Sequence, residues 1–187
     1  MANELSLCMI VKNEEKAIGN CLSSVREIAD EIIIVDTGST DRTKEIASEF
    51  GAKIFDFKWG DDFSKARNES LKHATKEWIL VLDADEEISK EDLPKLRNLL
   101  MANNKLGVIF EIWNYSDSSN VPGWMSLNNS NRKRFAAGYY PSKKLVLFKN
   151  MGGIKFEGKI HESVFSFLVG KGSIATADFP IHHFGKL

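Results

Sequence analysis

The chain has 187 residues, which is the usual size of one domain and enough to bury a hydrophobic core without disulfide bonds. Hydrophobic residues make up 43% of the sequence and charged residues 27%, which excludes disordered, fibrous and collagen-like proteins. The 25 basic and 26 acidic side chains leave a net charge of −1, without the basic excess of a nucleic-acid-binding protein. We therefore expect a globular protein with no nucleic-acid partner.

The cysteines and the N-terminus indicate the compartment. Cys8 and Cys21 are too few for a disulfide framework and have no histidine or cysteine at metal-site spacing, which predicts a reducing environment. The first residues lack the basic stretch and long apolar run of a secretion signal, and the apolar runs are too short to cross a bilayer. We expect a cytoplasmic protein, or one at the inner face of the membrane, with no transmembrane segment.

Short apolar runs alternate with amphipathic stretches through the first half of the chain. Residues 5–11 and 31–36 resemble strands buried on both faces, and a helical stripe of Ile18, Cys21, Leu22 and Val25 lies between them. The pattern continues with a helix over 41–50 capped by Ser39 or Thr40, a strand over 52–57, a helix over 63–74, a strand over 78–82 and a helix over 91–101 capped by Ser89 or Asp92. Such alternation predicts βαβ units, and hence an α/β fold with a mostly parallel sheet.

The second half of the chain has a different pattern. Residues 107–113 and 144–149 resemble strands, whereas residues 116–142 are rich in Asn, Ser, Gly and Arg and have little periodicity. This composition predicts a long loop. Because no linker divides the chain, we predict one domain over residues 1–187, with an irregular second half.

Acidic side chains follow two of the predicted strands. Asp36 ends the second strand, and residues 83–85 (Asp-Ala-Asp) follow the fourth. Ligands of open α/β sheets bind beyond the carboxyl ends of strands, where two nearby carboxylates can hold one hard cation. Glu86 and Glu87 add negative charge that a cation would relieve. We therefore favour a metal site at 83–85 over a solvated turn, whereas Asp36 alone is equally compatible with a helix-capping turn.

Six segments in chain order carry a resemblance to a known family. They are residues 6–15, 34–41, 62–68, 83–85, 156–162 and 183–185. Together they resemble the family 2 glycosyltransferases with the GT-A fold, in particular a bacterial branch that begins with a strand and then Val-Lys-Asn-Glu-Glu. The resemblance covers nearly the whole chain. It implies that residues 1–104 form the nucleotide-sugar-binding half and that residues 105–187 form the acceptor and catalytic half.

The resemblance also implies a reaction. Enzymes of this kind transfer a sugar with inversion from a nucleoside diphosphate sugar, here expected to be a UDP-sugar, to a hydroxyl acceptor. A divalent ion, Mn²⁺ or Mg²⁺, neutralises the charge on the departing diphosphate. Acceptors in this branch are saccharides, lipids and some polypeptides, so a role in cell-envelope polysaccharide or glycolipid biosynthesis is expected.

Donor-binding roles fall on residues of the first half. By the resemblance, Val11 and Glu14 would lie beside the base and ribose, and Asp36 would accept a hydrogen bond from the uracil imide N–H. Arg67 would approach the base or the diphosphate, although spacing alone favours a surface arginine. Asp83 would contact the ribose or the water shell of the metal.

Metal-binding and catalytic roles fall on both halves. Asp85 would ligate the metal, and a late histidine in a His-aromatic-Gly setting, which favours His183 over His182, would join it. Manganese tolerates such a mixed ligand shell better than magnesium. Glu162 would be the base that takes the proton of the acceptor hydroxyl, with Glu157 as its rival.

The predicted loop and its borders combine aromatic and basic side chains. They are Trp113, Trp124, Arg132, Lys133, Arg134, Tyr139 and Tyr140. Aromatic rings stack on sugar faces, and the basic trio would attract an anionic acceptor or a membrane surface, although for the trio alone we favour an ordinary solvated loop. The whole segment fits a lid over the acceptor that excludes water.

Three alternatives use part of the same pattern. A phosphatase with an Asp-x-Asp motif needs a hydroxyl residue soon after the second Asp, where Glu86 and Glu87 stand. A sugar nucleotidyltransferase needs a Gly-rich loop containing Arg after the first strand, where residues 12–15 read Lys-Asn-Glu-Glu. A non-catalytic module that binds a nucleotide sugar or a carbohydrate is disfavoured by the complete set of acids but stays open as the alternative.

Overall fold

A curled ten-stranded sheet organises the computed structural model, which describes residues 3–102, 104–127 and 136–185. The strands are β1 Leu5–Val11, β2 Glu31–Asp36, β3 Lys53–Asp56, β4 Trp78–Val81, β5 Glu86–Glu87, β6 Lys105–Ser116, β7 Met125–Ser126, β8 Gly138–Lys149, β9 Ser173–Thr176 and β10 Ile181–His183. The helices are α1 Ile18–Val25, α2 Thr43–Glu49, α3 Phe63–His73, α4 Leu93–Leu100 and α5 Phe165–Leu168. A 3₁₀ turn, Lys90–Asp92, precedes α4.

The strand order separates the two halves of the chain. The path of the sheet is β3-β2-β1-β4-β8-β6-β10-β5, with β7 beside β8 and β9 beside β6. The pairs among β1 to β4 are all parallel, as predicted, and the chain order reverses between β1 and β4. Strand β8 then joins β4 and β6 antiparallel to both. The reversal creates a topological switch point, where α/β proteins bind ligands.

Strands β1, β2 and β4 are buried on both faces, which explains their continuous apolar runs. Successive side chains alternate between two hydrophobic clusters. Leu7 and Met9 pack in the larger cluster with Leu22 of α1, whereas Cys8 packs in the smaller cluster with Leu168 of α5. Helices therefore cover both faces of the parallel strands, leaving their ends to carry polar groups.

The predicted caps of α2 are wrong. The helix begins at Thr43, and its backbone N–H donates to Oδ1 of Asp41 at 3.0 Å. Ser39 instead accepts a hydrogen bond from the N–H of Asn13 through its Oγ at 2.9 Å, and the N–H of Thr40 donates to Oδ1 of Asn13 at 2.8 Å. The loop after β1 therefore occupies both predicted caps.

The predicted cap positions of α4 are confirmed, since Asp92 is the N-cap residue of α4 and Ser89 is that of the preceding 3₁₀ turn. Neither side chain makes a cap hydrogen bond: Oγ of Ser89 lies 2.9 Å from Nε2 of His182, and the Asp92 carboxylate lies 2.7 Å from Nζ of Lys95. Pro94 stands in the first turn of the helix, as predicted.

The second half contains more strand than its composition indicates. Strands β6 and β8 each have 12 residues and pair along most of their length, so the predicted loop is wrong over 138–142 and 125–126. Tyr139 lies in β8 and stacks on Trp113 with ring centroids 4.4 Å apart. The predicted basic trio, Arg132, Lys133 and Arg134, lies outside the described residues. Over the described ranges, no helix is both long and apolar enough to span a membrane.

Candidate active site

A cavity of about 880 Å³ opens at the switch point, beyond the carboxyl ends of β1 and β4. Both halves of the chain line it. The predicted site residues in its wall are Val11, Glu14, Arg67, Asp83, Asp85, Glu162 and His183. Asp36 is the exception: it is buried at the end of β2, and its neighbour Thr37 reaches the wall instead.

Asp36 forms the turn that its sequence context predicts, but with only one of its oxygens. Oδ1 accepts hydrogen bonds from the N–H groups of Gly38 at 2.9 Å and Ser39 at 2.8 Å. Oδ2 is buried and has no hydrogen-bond partner among the described residues. An unpaired buried carboxylate oxygen is costly, so a donor that reached this atom would relieve the cost, but a ligand in the cavity could reach it only after a local shift of the chain.

The loop after β1 is held against the end of β2. Val11 lies opposite Asp36 in the parallel register, and its carbonyl accepts hydrogen bonds from the N–H and Oγ1–H of Thr37 at 2.9 and 3.0 Å. The N–H of Glu14 donates to Oγ1 of Thr43 at 2.7 Å. These bonds fix the backbone of Val11 and of Glu14, both of which line the cavity.

Arg67 is buried, so the surface position that helical spacing alone favoured for it is wrong. Its side chain is 7% exposed, and its Nε lies 3.3 Å from Oε1 of Glu162. Its Nη2 contacts Oδ1 of Asp83, while its Nη1 is buried without a hydrogen-bond partner among the described residues. Although burial opposes the charge, Asp83 and Glu162 raise the pKa of Arg67. Arg67 thus links an acid after β4 to an acid of the second half.

Lys144 of β8 is a second basic side chain that pairs with the acids after β4. No pattern in the sequence predicted this contact. Its Nζ lies 3.0 Å from Oδ2 of Asp83 and 2.9 Å from Oε1 of Glu86. Burial alone would raise the pKa of Asp83, but Arg67 and Lys144 lower it well below the usual range. Burial and the nearby Asp83 raise the pKa of Glu86. The negative charge after β4, which the sequence assigned to a metal, is therefore partly balanced by Lys144.

Asp85 and His183 face each other across the cavity wall. Oδ2 of Asp85 lies 3.3 Å from Nε2 of His183, and this carboxylate raises the pKa of the imidazole. Nδ1 of His183 lies 2.8 Å from Oδ1 of Asn114, whose amide nitrogen lies within 3.2 Å of the carbonyls of Ile112 and Tyr140. The amide orientation makes Nδ1 the donor, so Nε2 is the atom directed at Asp85.

This pair fits a divalent ion that takes only two ligands from the protein. Among the described residues, no group of three or more His, Cys, Asp and Glu side chains is arranged to hold a metal. A carboxylate oxygen and an imidazole nitrogen nonetheless converge in Asp85 and His183, and Asn114 holds the second ring nitrogen as outer-shell partners of metal-binding histidines do. Mn²⁺ accepts such mixed ligands and completes its shell with phosphate and water.

His182 faces away from this pair, because successive residues of a strand point to opposite sides. It lines a second cavity of about 560 Å³. Its Nδ1 lies 2.7 Å from the Tyr115 hydroxyl and its Nε2 2.9 Å from Oγ of Ser89. The geometry thus separates the two histidines that the sequence left as rivals for the metal.

Glu162 and Glu157 are separated in the same way. Glu162 lines the cavity beside Arg67, whereas Glu157 pairs with Lys155 at 3.0 Å and is not among the lining residues. The loop between them turns at Gly158 (φ +103°), where an added Cβ would lie 2.7 Å from the carbonyl oxygen of His161. Only glycine permits this close turn, which presents Glu162 to the cavity.

Three residues of the site escaped the sequence reasoning: Lys144, Glu86 as a buried partner, and Asn114. Lys144 stands at the start of an apolar run, where a lysine usually anchors a strand to solvent. Its partners lie 61 and 58 residues earlier in the chain. The four acids within residues 83–87 were the one signal in the sequence for such a lysine. Buried acids need a nearby positive charge, which either a metal ion or a basic side chain can supply.

Comparison of the sequence with known proteins identifies a family. The model of the family "Glycosyl transferase family 2" matches residues 6–160. A TPR repeat-containing protein of Synechococcus elongatus is 41% identical over 162 residues, which cover 86% of this chain and 35% of that protein. The SPbeta prophage-derived glycosyltransferase SunS of Bacillus subtilis is 32% identical over 161 residues, covering 85% of this chain and 34% of SunS. The chain thus spans about a third of the length of these relatives.

Solved structures show the same fold. The crystal structure of residues 1–349 of S. aureus TarS, in complex with UDP-GlcNAc, has a TM-score of 0.69 at 18% identity and covers 98% of this chain and 59% of that one. Glucosyl-3-phosphoglycerate synthase from Mycobacterium tuberculosis, in complex with Mn²⁺, UDP-glucose and phosphoglyceric acid, has a TM-score of 0.62 at 14% identity, covering 99% and 73%. These likenesses confirm the predicted GT-A fold. Because the family model matches most of its length, the chain belongs to glycosyl transferase family 2.

Proposed function

We propose that this chain transfers a sugar, with inversion, from a UDP-sugar to a hydroxyl acceptor in a reaction that depends on Mn²⁺ or Mg²⁺. The observation that carries the proposal is the meeting of Asp85 and His183 in one cavity with Glu162. Metal ligands and a carboxylate base are the two elements that such a displacement needs. The UDP-sugar complexes of TarS and of the mycobacterial synthase, which share the fold, support it.

The donor would bind at the carboxyl ends of β1, β2 and β4. Val11 and Glu14 would lie beside the base and ribose, and Oδ2 of Asp36, which is covered in this structure, would accept the imide N–H of uracil after a local shift of the chain that exposes it. Asp83 keeps lone pairs for a ribose hydroxyl, since a carboxylate accepts about four hydrogen bonds. In this scheme residues 1–104 bind the donor and residues 105–187 supply the acceptor side.

Asp85 and His183 would hold the metal ion. When bound, this ion would supply Lewis-acid stabilisation of the charge on the departing diphosphate. Asn114 would keep Nε2 of His183 available as a ligand by accepting a hydrogen bond from Nδ1–H, which holds the proton on Nδ1.

Glu162 would act as the base. Its carboxylate would take the proton of the acceptor hydroxyl while the hydroxyl oxygen bonds to the anomeric carbon and the bond from that carbon to the diphosphate breaks on the opposite face. Arg67, which fixes one oxygen of Glu162 at 3.3 Å, would hold the other toward the acceptor. A single displacement of this kind inverts the anomeric centre.

The acceptor would be a saccharide, a lipid-linked sugar or a polypeptide hydroxyl. We place the reaction in cell-envelope polysaccharide or glycolipid biosynthesis, in the cytoplasm or at the inner face of the membrane. The cavity of about 880 Å³ is lined by both halves of the chain, and exposed apolar side chains lie in its wall, including Ile160, which is 67% exposed.

A screen of nucleoside diphosphate sugars with and without Mn²⁺ tests the proposal. A donor at about 100 times its Kd stabilises the folded state by about 2.7 kcal/mol, which raises the melting temperature by several degrees. We expect this shift with a UDP-sugar and Mn²⁺, together with slow release of UDP when water serves as the acceptor. Stabilisation by none of the donors would overturn the proposal, and binding without any UDP release or transfer would favour the non-catalytic binding module.

A further inference from the structure

Lys144 is a cation built into the wall of the candidate active site. Its side chain lines the cavity and is 43% exposed, yet its Nζ contacts the carboxylates of Asp83 and Glu86, and the Glu86 side chain is only 1% exposed. The ammonium therefore contacts one buried acid, Glu86, and one partly exposed acid, Asp83, in the wall of the cavity where a ligand would lie.

The same ammonium lies next to the candidate metal ligands. Its partners Asp83 and Glu86 flank Asp85 in the chain, and Glu86 is paired with His183 across strands β5 and β10. The N–H of Phe184, after β10, donates to the carbonyl of Asp85, before β5, at 3.0 Å. This bond ties the backbone next to His183 to that of Asp85. Lys144 thus acts on the cavity beside the Asp85–His183 pair.

These contacts control the charge offered to a metal. Both oxygens of Asp83 are engaged, one by Arg67 and one by Lys144, and one oxygen of Glu86 is bound to Lys144. Asp85 is left as the acid that pairs with His183. A free dication approaching this pair would meet the repulsion of an ammonium that contacts the acids on either side of Asp85 in the chain, in a partly buried site where charges are weakly screened.

A diphosphate reverses the balance. Its negative charge is attracted by Lys144 and supplies the oxygen ligands that the two-residue metal site lacks. The ammonium therefore opposes the ion alone and favours the ion that arrives with a diphosphate.

We propose that Lys144 is a positioning residue that makes divalent-ion binding conditional on the diphosphate: it withholds Asp83 and Glu86 from the ion, repels the free ion and attracts the diphosphate. This inference rests on the proposed function. A lysine that only neutralised buried acids would have a different signature, because its loss would loosen the site and weaken every ligand together.

Two substitutions that change the charge of the site in opposite directions separate these roles. Lys144→Met removes the cation, and Glu86→Gln removes one of its acids while an amide oxygen can still accept the N–H of Asp83, now 2.9 Å from Oε2. Mn²⁺ binding is measured by electron paramagnetic resonance without nucleotide, and UDP binding by calorimetry without metal. Lys144→Arg keeps the charge, and Lys95→Met removes a lysine that pairs with Asp92 on α4, away from the cavity.

We expect Lys144→Met to bind Mn²⁺ alone about tenfold more tightly than the wild type and UDP alone about tenfold more weakly. Glu86→Gln should shift both affinities the other way, while Lys144→Arg and Lys95→Met stay close to the wild type. If Lys144→Met does not fold, the opposite shifts in Glu86→Gln decide the question alone. Weaker Mn²⁺ binding in Lys144→Met, or parallel shifts in Glu86→Gln, would overturn the role of Lys144. A wild type that binds neither UDP nor Mn²⁺ with UDP would overturn the proposed function as well.

Discussion

Nε of Arg67 lies 3.3 Å from Oε1 of Glu162, 95 residues further along the chain, while the same guanidinium contacts Asp83. One buried side chain of α3 thus joins the acid after β4 to the acid that precedes α5. The donor side and the acceptor side of the cavity are therefore held in one arrangement, and their acids are best tested one at a time.

Glu162→Gln should abolish transfer while leaving donor binding unchanged. The amide oxygen still accepts the hydrogen bond of Arg67 but takes no proton, and loss of a general base costs about 10²- to 10⁴-fold in rate. UDP-sugar binding is measured by calorimetry and transfer by UDP release. Glu157→Gln is the matched control and should behave as the wild type. Loss of donor binding in Glu162→Gln would make Glu162 a binding residue instead of the base.

Asp85→Asn should remove the dependence of donor binding on Mn²⁺ and reduce turnover to background. An amide lacks the charge that holds a hard cation, while the partly exposed contact with His183 contributes about 1 kcal/mol or less to the free energy of unfolding. Thermal melts should therefore show an intact fold. Asp178→Asn, at an exposed position before β10, provides the control. Near-normal turnover in Asp85→Asn would remove this residue from the mechanism.

Asp36→Asn should weaken UDP binding about 10- to 100-fold, since a hydrogen bond to a charged group contributes about 1.5 to 3 kcal/mol. The Asn oxygen can still accept the N–H groups of Gly38 and Ser39, but an amide N–H then replaces the unpaired Oδ2 and opposes the uracil imide N–H. Binding of pyrophosphate, which has no base, serves as the reference and should not change. An equal loss of affinity for UDP and for pyrophosphate would show that Asp36 supports the loop conformation and makes no hydrogen bond to the base.

Glu31→Gln should destabilise the protein from the opposite end of the sheet. Burial alone would raise the pKa of Glu31, but hydrogen bonds from Lys53, Ser6 and Thr75 lower it from 4.5 to about 2. Because the folded-state pKa is depressed, this carboxylate stabilises the fold above pH 4.5, and the contribution is lost as the pH falls toward 2. The shift corresponds to about 3 kcal/mol at pH 7.

Urea denaturation of the wild type and Glu31→Gln across this pH range measures that contribution. The difference in the free energy of unfolding should be full near pH 7 and shrink below pH 4.5. Lys53→Met, which removes one of the donors, should give a smaller difference with the same pH dependence. A difference that stays constant with pH would assign the effect to packing.

The first half of the fold was predictable because its determinants are local. Strands β1, β2 and β4 appear as apolar runs since both of their faces are buried, and α1 appears as a stripe with helical spacing. The strand β8 was only partly predicted: its N-terminal portion carries polar residues and becomes a strand by pairing with β6, a partner that no local pattern identifies.

By itself, the sequence determined the parallel βαβ arrangement and the acids that follow β2 and β4, because periodicity and strand ends are properties of neighbouring residues. Tertiary structure alone decided that Lys144 balances Asp83 and Glu86, and that Arg67 is buried between two acids. It also decided that His183, and not His182, faces Asp85, since a single step along a strand turns a side chain to the other face. Charged side chains can pair across a folded sheet whatever their separation in the chain. Such pairs therefore produce no periodic pattern in the sequence from which they could be predicted.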